Sequence, residues 1–279
     1  MLTRFMDGLI EFHFLQNALV TALVIGITCG AVGSFIILRS LSLMGDAISH
    51  AVLPGVAISY MLGIHIFIGA LFCGFLASFM ITFIRENSLI KGDTAIGITF
   101  SSFLALGIIL IGLANSPTDL FHILFGNILA VQDSDLWMCM GVAVLVLSLL
   151  ALFFKGFLLT SFDPVLAQTM GYRVGFYHYL LMGLITLVSI SAMQSVGTIL
   201  IVAMLVTPAA TAYLFAKSLK QMIFMASAIG ALASLLGLFL GYSLNMAVGS
   251  SIVLTATLIF LLAFLVTKRR GWAKTNLNK

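Results

Sequence analysis

The stretch of this sequence that could carry chemistry is SLMGDAISHAVLPG, residues 42–55. Asp46 and His50 are four residues apart within it, so on a helix both side chains lie on one face and can converge on a single ligand. A carboxylate oxygen and an imidazole nitrogen, without sulfur, suit Mn²⁺ or Fe²⁺ and are acceptable to Zn²⁺. One chain supplies only two such ligands here, whereas two copies around a twofold axis would supply four, which is enough for a metal transit site.

Pro54 lies four residues beyond His50 in the same stretch. Because proline has no N–H, the helical hydrogen bond to the carbonyl of His50 cannot form, which predicts a helix irregularity at that histidine. A simpler interpretation has Asp46 capping a helix that starts after Gly45, with His50 donating to a neighbouring carbonyl. The sequence leaves both open, but an ionisable residue inside a membrane segment is by default a candidate for function.

The composition is that of a protein that crosses a membrane many times. Of the 279 residues, 62% are hydrophobic and only 8% are charged, which excludes an ordinary soluble domain. Apolar runs of the ~20 residues needed to cross a ~30 Å hydrocarbon core recur throughout, so residues 1–279 are predicted to form one all-α membrane domain. Eight or nine transmembrane helices are expected, near residues 15–38, 42–62, 64–84, 94–113, 136–154, 178–194, 196–206, 221–244 and 250–267.

Lys and Arg residues predict the orientation of these spans. Nearly all of them fall in loops on one side, which is therefore assigned to the cytoplasm, and only Arg4 falls on the other side. This places the N-terminus outside, with residues 1–14 as an outer amphipathic segment, and the C-terminus inside, with residues 268–279 as a basic cytoplasmic tail. The net charge of +4 then reflects topology and gives no indication of nucleic-acid binding.

Two cytoplasmic segments carry signals for short helices. In SFDPVLAQTMG, Asp163 suits the N-cap, Pro164 the first helical position and Gly171 the end of the helix. In VTPAATAYLFAKSLKQM, Thr207 and Pro208 repeat this cap-then-proline start. The second segment could be an interfacial helix lying on lipid headgroups or a docking element for a cytoplasmic partner, and its aromatic and basic residues fit both.

Other candidate ligands in the sequence are weaker. Asp119 and His122, three residues apart in an outer loop, could gather cations or contact an outer binding protein, although ordinary solvated loop charge explains them more simply. Cys29, Cys73 and Cys139 are each isolated within apolar runs. Neither a disulfide framework nor a thiolate metal site is therefore expected.

Several motifs follow one another in an order that resembles a known family. The run ILRSLSLMGDAISHAVLPGVAISYMLG is similar to the second-span signature of the metal-ion permeases of bacterial ABC importers. The residues of GDAISHAVLPG and HILFGNILAVQDSD most resemble those of the manganese-type permeases of Gram-positive bacteria. The supporting motifs, in chain order, are DTAIGITFSSFLALGIIL, DLFHILFGNILAVQDSDL, FDPVLAQTMG and QSVGTILIVAMLVTPAATAYLFAKSLKQM. Together they cover nearly the whole chain, which makes the resemblance far more specific than any single motif.

This resemblance implies the permease fold of the vitamin B12 and siderophore type of ABC importer, working as a homodimer in the plasma membrane. It implies an extracellular metal-binding lipoprotein that delivers Mn²⁺, or alternatively Zn²⁺ or Fe²⁺, and a cytoplasmic ATP-binding subunit that drives transport. The metal is then cargo, no cofactor is held permanently, and Asp46 and His50 belong to the ion pathway, beside which Pro54 is the predicted helix break. The segment 207–220 becomes the part that couples to the ATPase. The coupling residues expected there are Thr207, Pro208, Ala209, Ala210, Thr211, Tyr213, Lys217 and Lys220.

Two other functions fit parts of the sequence. The chain has no G-x-x-x-x-G-K-[ST] phosphate loop, so ATP must be hydrolysed by a partner and the chain itself is expected not to be an enzyme. A secondary carrier could instead use Asp46 and His50 as a proton relay. An intramembrane metal-dependent hydrolase is a further alternative, although H-E-x-x-H is absent and such sites generally take three ligands from one chain.

Overall fold

The structure is a computed structural model that describes residues 2–90, 92–113 and 126–277. Within these ranges the chain is helical apart from short turns, and no β-strand occurs in them, in agreement with the all-α prediction. One turn of 3₁₀ helix, Ile128–Ala130, precedes the seventh α-helix. The α-helices are α1 (Leu2–Glu11), α2 (His13–Leu38), α3 (Met44–Ala51), α4 (Leu53–Leu62), α5 (Ile66–Asn87), α6 (Gly92–Leu113), α7 (Asp133–Leu152), α8 (Phe154–Phe162), α9 (Pro164–Thr169), α10 (Val174–Val196), α11 (Thr198–Tyr213), α12 (Leu219–Ser243) and α13 (Val248–Leu277).

Seven of the described helices are long and apolar enough to cross a membrane, namely α2, α5, α6, α7, α10, α12 and the part of α13 up to Lys268. α11 is shorter, and its 16 residues extend over about 24 Å. The predicted second span is divided into α3 and α4. Every predicted span thus corresponds to helix, and the expected count of eight or nine is approximate because one span is short and another is interrupted.

α2 and α10 form the centre of the bundle. In each of them 72% of the most apolar stretch is buried, against 22% in α6 and in α7. Helices that are apolar on all sides are typical of such a buried position. Phe35 of α2 is fully buried against Phe157 of α8, with ring centroids 5.5 Å apart. α6 and α7 direct most of their side chains outward, as helices in contact with lipid do.

α2 and α12 approach each other closely through small residues. A Cβ added at Gly26 would lie 2.6 Å from the carbonyl oxygen of Gly230, and one added at Gly30 would lie 2.6 Å from the carbonyl carbon of Ala226. Small residues allow helix backbones to pack at this distance inside a membrane. α1 packs at the other end of α12, where Phe5 meets Phe239 edge-on with ring centroids 5.3 Å apart.

The first predicted cytoplasmic helix is present as α9. The Asp163 carboxylate accepts a hydrogen bond from the backbone N–H of Leu166 at 2.9 Å, and Pro164 is the first residue of the helix. Gly171 follows the helix with a φ of +83°, a left-handed conformation that glycine adopts without strain. The cap, the proline and the terminal glycine therefore have the roles that the sequence predicts.

The predicted helix start at Thr207 and Pro208 is wrong. α11 begins directly after Gly197, which has a φ of +83°, and continues through Pro208 to its end. Pro208 is buried, and prolines inside membrane helices are tolerated because surrounding groups can satisfy the carbonyl that each one frees. Residues 207–220 therefore comprise the last turns of α11, a short connection and the start of α12, rather than a single helix.

Candidate functional site

Asp46 and His50 form a polar strip on an otherwise buried helix. The Asp46 Oδ1 and His50 Nε2 atoms are 3.5 Å apart, and the two side chains are 48% and 30% exposed. The other six residues of α3 are buried. The two side chains therefore share one face of α3, as their spacing predicts, and that face is left open by the helices that cover the rest of α3.

The covered side of α3 is held by small and apolar contacts. A Cβ added at Gly45 would lie 2.8 Å from Leu205 Cδ1 of α11, and the Ser49 hydroxyl donates to the carbonyl of Gly45 at 2.8 Å within the helix. Beside the open face, the Phe100 ring of α6 meets the His50 imidazole edge-on, with ring centroids 5.5 Å apart. These contacts fix the rotation of α3 about its axis and so fix where its two ionisable side chains point.

The helix that carries the pair is interrupted just beyond it. Val52 separates α3 from α4 and keeps helical dihedral angles (φ −75°, ψ −22°), and Pro54 lies in the first turn of α4. α6 packs closely here, since a Cβ added at Gly107 would lie 3.2 Å from Pro54 Cδ. The predicted irregularity therefore lies two residues after His50 rather than at the histidine, and the backbone changes little across it.

The simpler interpretation, in which Asp46 caps α3, differs from the observed geometry. α3 begins at Met44, Leu43 occupies the N-cap position, and no side-chain hydrogen bond caps this described helix. Asp46 lies within the first turn, where the helix dipole favours a negative charge. His50, in the last turn, faces Asp46. The carboxylate is thus free of a capping role and available to a ligand.

The described part of one chain groups too few ligands for a closed metal site. Across the ranges that the structure describes, no three His, Cys, Asp or Glu side chains are grouped so that they could hold an ion. Cys29, Cys73 and Cys139 are free and buried. The Asp46–His50 strip therefore offers a carboxylate and an imidazole as ligands. Water or another molecule would have to fill the other coordination positions of an ion.

The predicted coupling residues divide into a covered set and an exposed set. The buried or half-buried residues, which lie in α11, are Thr207, Pro208, Ala209, Ala210 and Thr211. Tyr213 is 57% exposed at the end of α11, and Lys217 and Lys220 are exposed around the start of α12. Lys220 Nζ also lies 5.6 Å from the centre of the Phe154 ring. The surface that a cytoplasmic partner could contact is therefore the α11–α12 connection and its two ends.

The outer end of the bundle contains a cluster that sequence analysis did not identify. The Asn17 side-chain amide donates to Asp133 Oδ1 at 2.6 Å, and His13 Nδ1 lies 3.8 Å from the same oxygen. This cluster joins the start of α2 to the start of α7, and the sequence separation of 116 residues leaves no local signal. The predicted outer pair, Asp119 and His122, lies outside the described residues.

A second unpredicted cluster lies at the cytoplasmic end of α2. The Arg39 guanidinium donates to Thr160 Oγ1 at 2.7 Å and to Ser161 Oγ at 3.0 Å, and its Nη1 lies 3.4 Å from His178 Nδ1. No local sequence signal indicates these contacts, because the partners of Arg39 are at least 121 residues away along the chain. In the structure it ties the end of α2 to α8 and α10.

Comparison with known proteins agrees with this architecture. The ABC 3 transport family matches residues 11–267. The chain is 69% identical over 274 residues to the manganese import system permease protein ScaB of Streptococcus gordonii, an alignment that covers 98% of this chain and 99% of ScaB. A chain of the solved structure of PsaBC from Streptococcus pneumoniae in complex with Fab matches with a TM-score of 0.86 and 69% identity, covering 95% of each chain.

A more distant structure shares the fold alone. It is an inward-facing conformation of a metal-chelate type ABC transporter, with a TM-score of 0.74 and 17% identity over 95% of this chain and 88% of that chain. With seven long apolar helices among its described residues, the chain is a multi-pass protein of the cell membrane and a transport component rather than an enzyme. The match extends over almost the whole sequence, and the chain belongs to the ABC 3 transport family.

Proposed function

We propose that this chain is the membrane-spanning permease subunit of an ABC importer for Mn²⁺, with Asp46 and His50 as the side chains that contact the ion. The observation that carries the proposal is the open Asp46–His50 strip on the buried helix α3. A carboxylate and an imidazole within a membrane-spanning bundle are costly unless they line a path for polar cargo. Manganese is favoured over zinc and iron because ScaB, which this chain resembles over its whole length, is a manganese import permease.

The chemistry of the strip suits a divalent ion in transit. Asp46 ligates as a carboxylate and His50 as a neutral imidazole, so binding of the ion releases any proton that the pair holds. Oxygen and nitrogen ligands without sulfur are acceptable to Mn²⁺. Even the ligands of two paired strips would not fill the octahedral coordination that Mn²⁺ prefers, so the ion keeps part of its water and is not trapped, which passage through a transport site requires.

A second copy of the chain completes the site in this proposal. A twofold axis beside α3 would bring two Asp46 carboxylates and two His50 imidazoles around one ion. The open face of α3 supports this arrangement, since the chain's own helices cover the other residues of α3 and leave this strip accessible. The ion path then follows the axis of the homodimer.

Energy and cargo come from two partners on opposite sides of the membrane. A separate cytoplasmic ATPase supplies the energy, since the sequence has no phosphate-binding loop of the G-x-x-x-x-G-K-[ST] type. It contacts the α11–α12 connection, where Tyr213, Lys217 and Lys220 are exposed. An extracellular metal-binding lipoprotein delivers the ion at the outer face.

Uptake by proteoliposomes tests the proposal. The chain is reconstituted with its ATPase and a metal-loaded binding protein, and ATP is expected to drive Mn²⁺ uptake. Asp46→Ala and His50→Ala are expected to abolish uptake without preventing assembly of the complex. Ser49→Ala is the matched control, because the Ser49 hydroxyl lies on the covered side of the same helix and bonds to Gly45 of α3. Normal uptake by either Asp46→Ala or His50→Ala would exclude the assigned role.

The same assay separates this function from the two alternatives. A proton-coupled carrier would move metal without the ATPase and would stop when the proton gradient is collapsed. A metal-dependent hydrolase would cleave its substrate as the purified chain alone. We expect uptake to depend on ATP, to persist without a proton gradient, and to occur without any hydrolytic activity of the isolated chain.

A further inference from the structure

A cavity of about 390 Å³ opens on the cytoplasmic side of the bundle, away from the Asp46–His50 strip. Three helix ends meet around it: the end of α2 at Arg39, the last turn of α5 at Arg85, and the start of α10 at His178. The hydroxyl-bearing end of α8 forms another wall, with Thr160 and Ser161. We call this space the Arg39–Arg85 cavity.

Arg39 is held in a fixed position at the wall of this cavity. Its Nη2 donates to Thr160 Oγ1 at 2.7 Å, and its Nε donates to Ser161 Oγ at 3.0 Å. Its Nη1 lies 3.4 Å from His178 Nδ1. A guanidinium can only donate, so this imidazole nitrogen is the unprotonated acceptor and His178 adds no positive charge here. The guanidinium has five N–H donors, so these contacts leave donors for a ligand.

The cavity has more positive than negative charge. Arg39 and Arg85 both line it, and within the described part of the chain neither forms an ion pair with a carboxylate. The one carboxylate on the wall, Glu86, accepts a hydrogen bond from the Tyr179 hydroxyl at 3.1 Å. Burial, with a smaller contribution from the charge of Arg85, lowers the pKa of Arg39 to about 10, so this side chain stays charged near neutral pH. A largely buried and unneutralised charge is costly, and a bound anion would remove that cost.

The position of the cavity indicates which anion is available. Arg39 directly follows the last residue of the α2 span, and Arg85 lies in the last turn of α5, so we expect both at the depth of the cytoplasmic headgroups. Below them, Phe75, Phe79 and Phe83 of α5 are 40%, 53% and 53% exposed and form an apolar face toward the bilayer. A phosphate in the cavity could therefore be continuous with acyl chains lying along α5. Basic pockets between membrane helices on the cytoplasmic side are a recurrent type of anionic-lipid site.

We propose that the Arg39–Arg85 cavity binds the phosphate of an anionic phospholipid from the cytoplasmic leaflet. The phosphate accepts hydrogen bonds from the two guanidinium groups, and the acyl chains cover the exposed phenylalanines of α5. The bound lipid thereby joins the cytoplasmic ends of α2, α5 and α10.

Native mass spectrometry of the full chain purified in detergent tests this site. The chain is titrated separately with phosphatidylglycerol and with phosphatidylcholine, and the affinity for the first bound lipid is measured. We expect phosphatidylglycerol to bind at least about tenfold more tightly, and Arg85→Gln to remove most of that difference, as the loss of one charge-assisted contact of about 1.4 kcal/mol would. Lys268→Gln is the matched control, since Lys268 is also an exposed cation of the cytoplasmic side but lies on α13. Arg39→Gln is a second test and is expected to reduce the same difference in lipid affinity. If Arg39→Gln does not fold, the result for Arg85→Gln is decisive, because Arg85 is exposed.

Three results would overturn the proposal. Equal affinity for the two lipids would show that the headgroup charge is not recognised. An equal loss in Arg85→Gln and Lys268→Gln would show diffuse attraction to a basic surface rather than a site. Displacement of phosphatidylglycerol by inorganic phosphate at equal concentration would show a site for a free anion, to which the acyl chains contribute nothing.

Discussion

The orientation of Asp46 and His50 depends on the rest of α3. Turning the helix to bury the pair would expose residues of α3 that are now covered and would disrupt contacts such as that between Gly45 and Leu205. A charged residue at mid-membrane that faces lipid costs about 3 kcal/mol or more, which the bundle avoids only if this face borders water, protein or an ion. The packing of α3 therefore stabilises an arrangement that presents the two candidate ligands together.

Replacing the imidazole by a carboxylate is expected to change the metal preference. His50→Asp leaves only oxygen ligands in the strip, and these suit Mn²⁺ better than Zn²⁺, which binds imidazole well. We expect Zn²⁺ to compete with radiolabelled Mn²⁺ uptake about tenfold less effectively, a change of about 1.4 kcal/mol in relative affinity. Asp46→Glu, which keeps one carboxylate and one imidazole, is the control that should retain the original ratio. If uptake by His50→Asp is too slow to measure, equilibrium binding of Mn²⁺ and Zn²⁺ to the purified chain gives their relative affinity instead. A relative affinity for the two metals that is the same in His50→Asp as in the original chain would contradict the ligand role.

At the scale of elements, the contact between α2 and α12 is expected to dominate stability. In Gly26→Ala the added methyl would lie 2.6 Å from the backbone oxygen of Gly230, which cannot move aside as a side chain can. The helices must separate, and we expect a loss of about 1–3 kcal/mol in the free energy of unfolding. Gly141→Ala on α7 is the control, because nothing lies within 4 Å of the added Cβ. Thermal unfolding in detergent measures the stability of the two variants. Equal unfolding temperatures for Gly26→Ala and Gly141→Ala would show that the close approach of α2 and α12 is unimportant for stability.

The helices themselves could be predicted where hydropathy alone determines them. Each apolar run became a helix because backbone groups in a bilayer must be paired within the segment. The continuation of α11 through Pro208 could not be predicted in this way, since Thr207 and Pro208 have the form of a helix start in water. The α11 helix instead begins after Gly197 and continues through Pro208, where tertiary packing buries the proline within the helix.

The same distinction applies to the sites. The shared face of Asp46 and His50 follows from the helical repeat and could be predicted from a spacing of four. The Asn17–Asp133 contact and the Arg39 cluster join residues that are distant in sequence, so only the folded chain brings them together. The exposure of the Asp46 and His50 side chains could not be predicted from the sequence either, because the open face of α3 is defined by the helices that cover its other faces.

At the scale of the whole molecule, α11 connects the cytoplasmic surface to the proposed ion pathway. Leu205 in the middle of α11 contacts Gly45, the residue before Asp46, and Tyr213 ends the same helix at the exposed connection to α12. We expect a displacement at that connection to reach α3 when α11 moves as a rigid body. Coupling between the two ends of α11 is measured as a change at one site that alters the behaviour of the other.

Tyr213→Ala tests this connection. An aromatic residue central to an interface often contributes about 2 kcal/mol to binding, so its loss is expected to weaken ATPase docking about 30-fold and to reduce ATP-driven uptake at least tenfold. Mn²⁺ binding to the purified chain should be unchanged, because Asp46 and His50 are untouched. Phe224→Ala is the control, since Phe224 is 77% exposed but lies on the membrane part of α12. Normal stimulation of ATP hydrolysis by loaded binding protein in Tyr213→Ala would place the coupling surface elsewhere, because a docked and active ATPase would then not need the exposed end of α11.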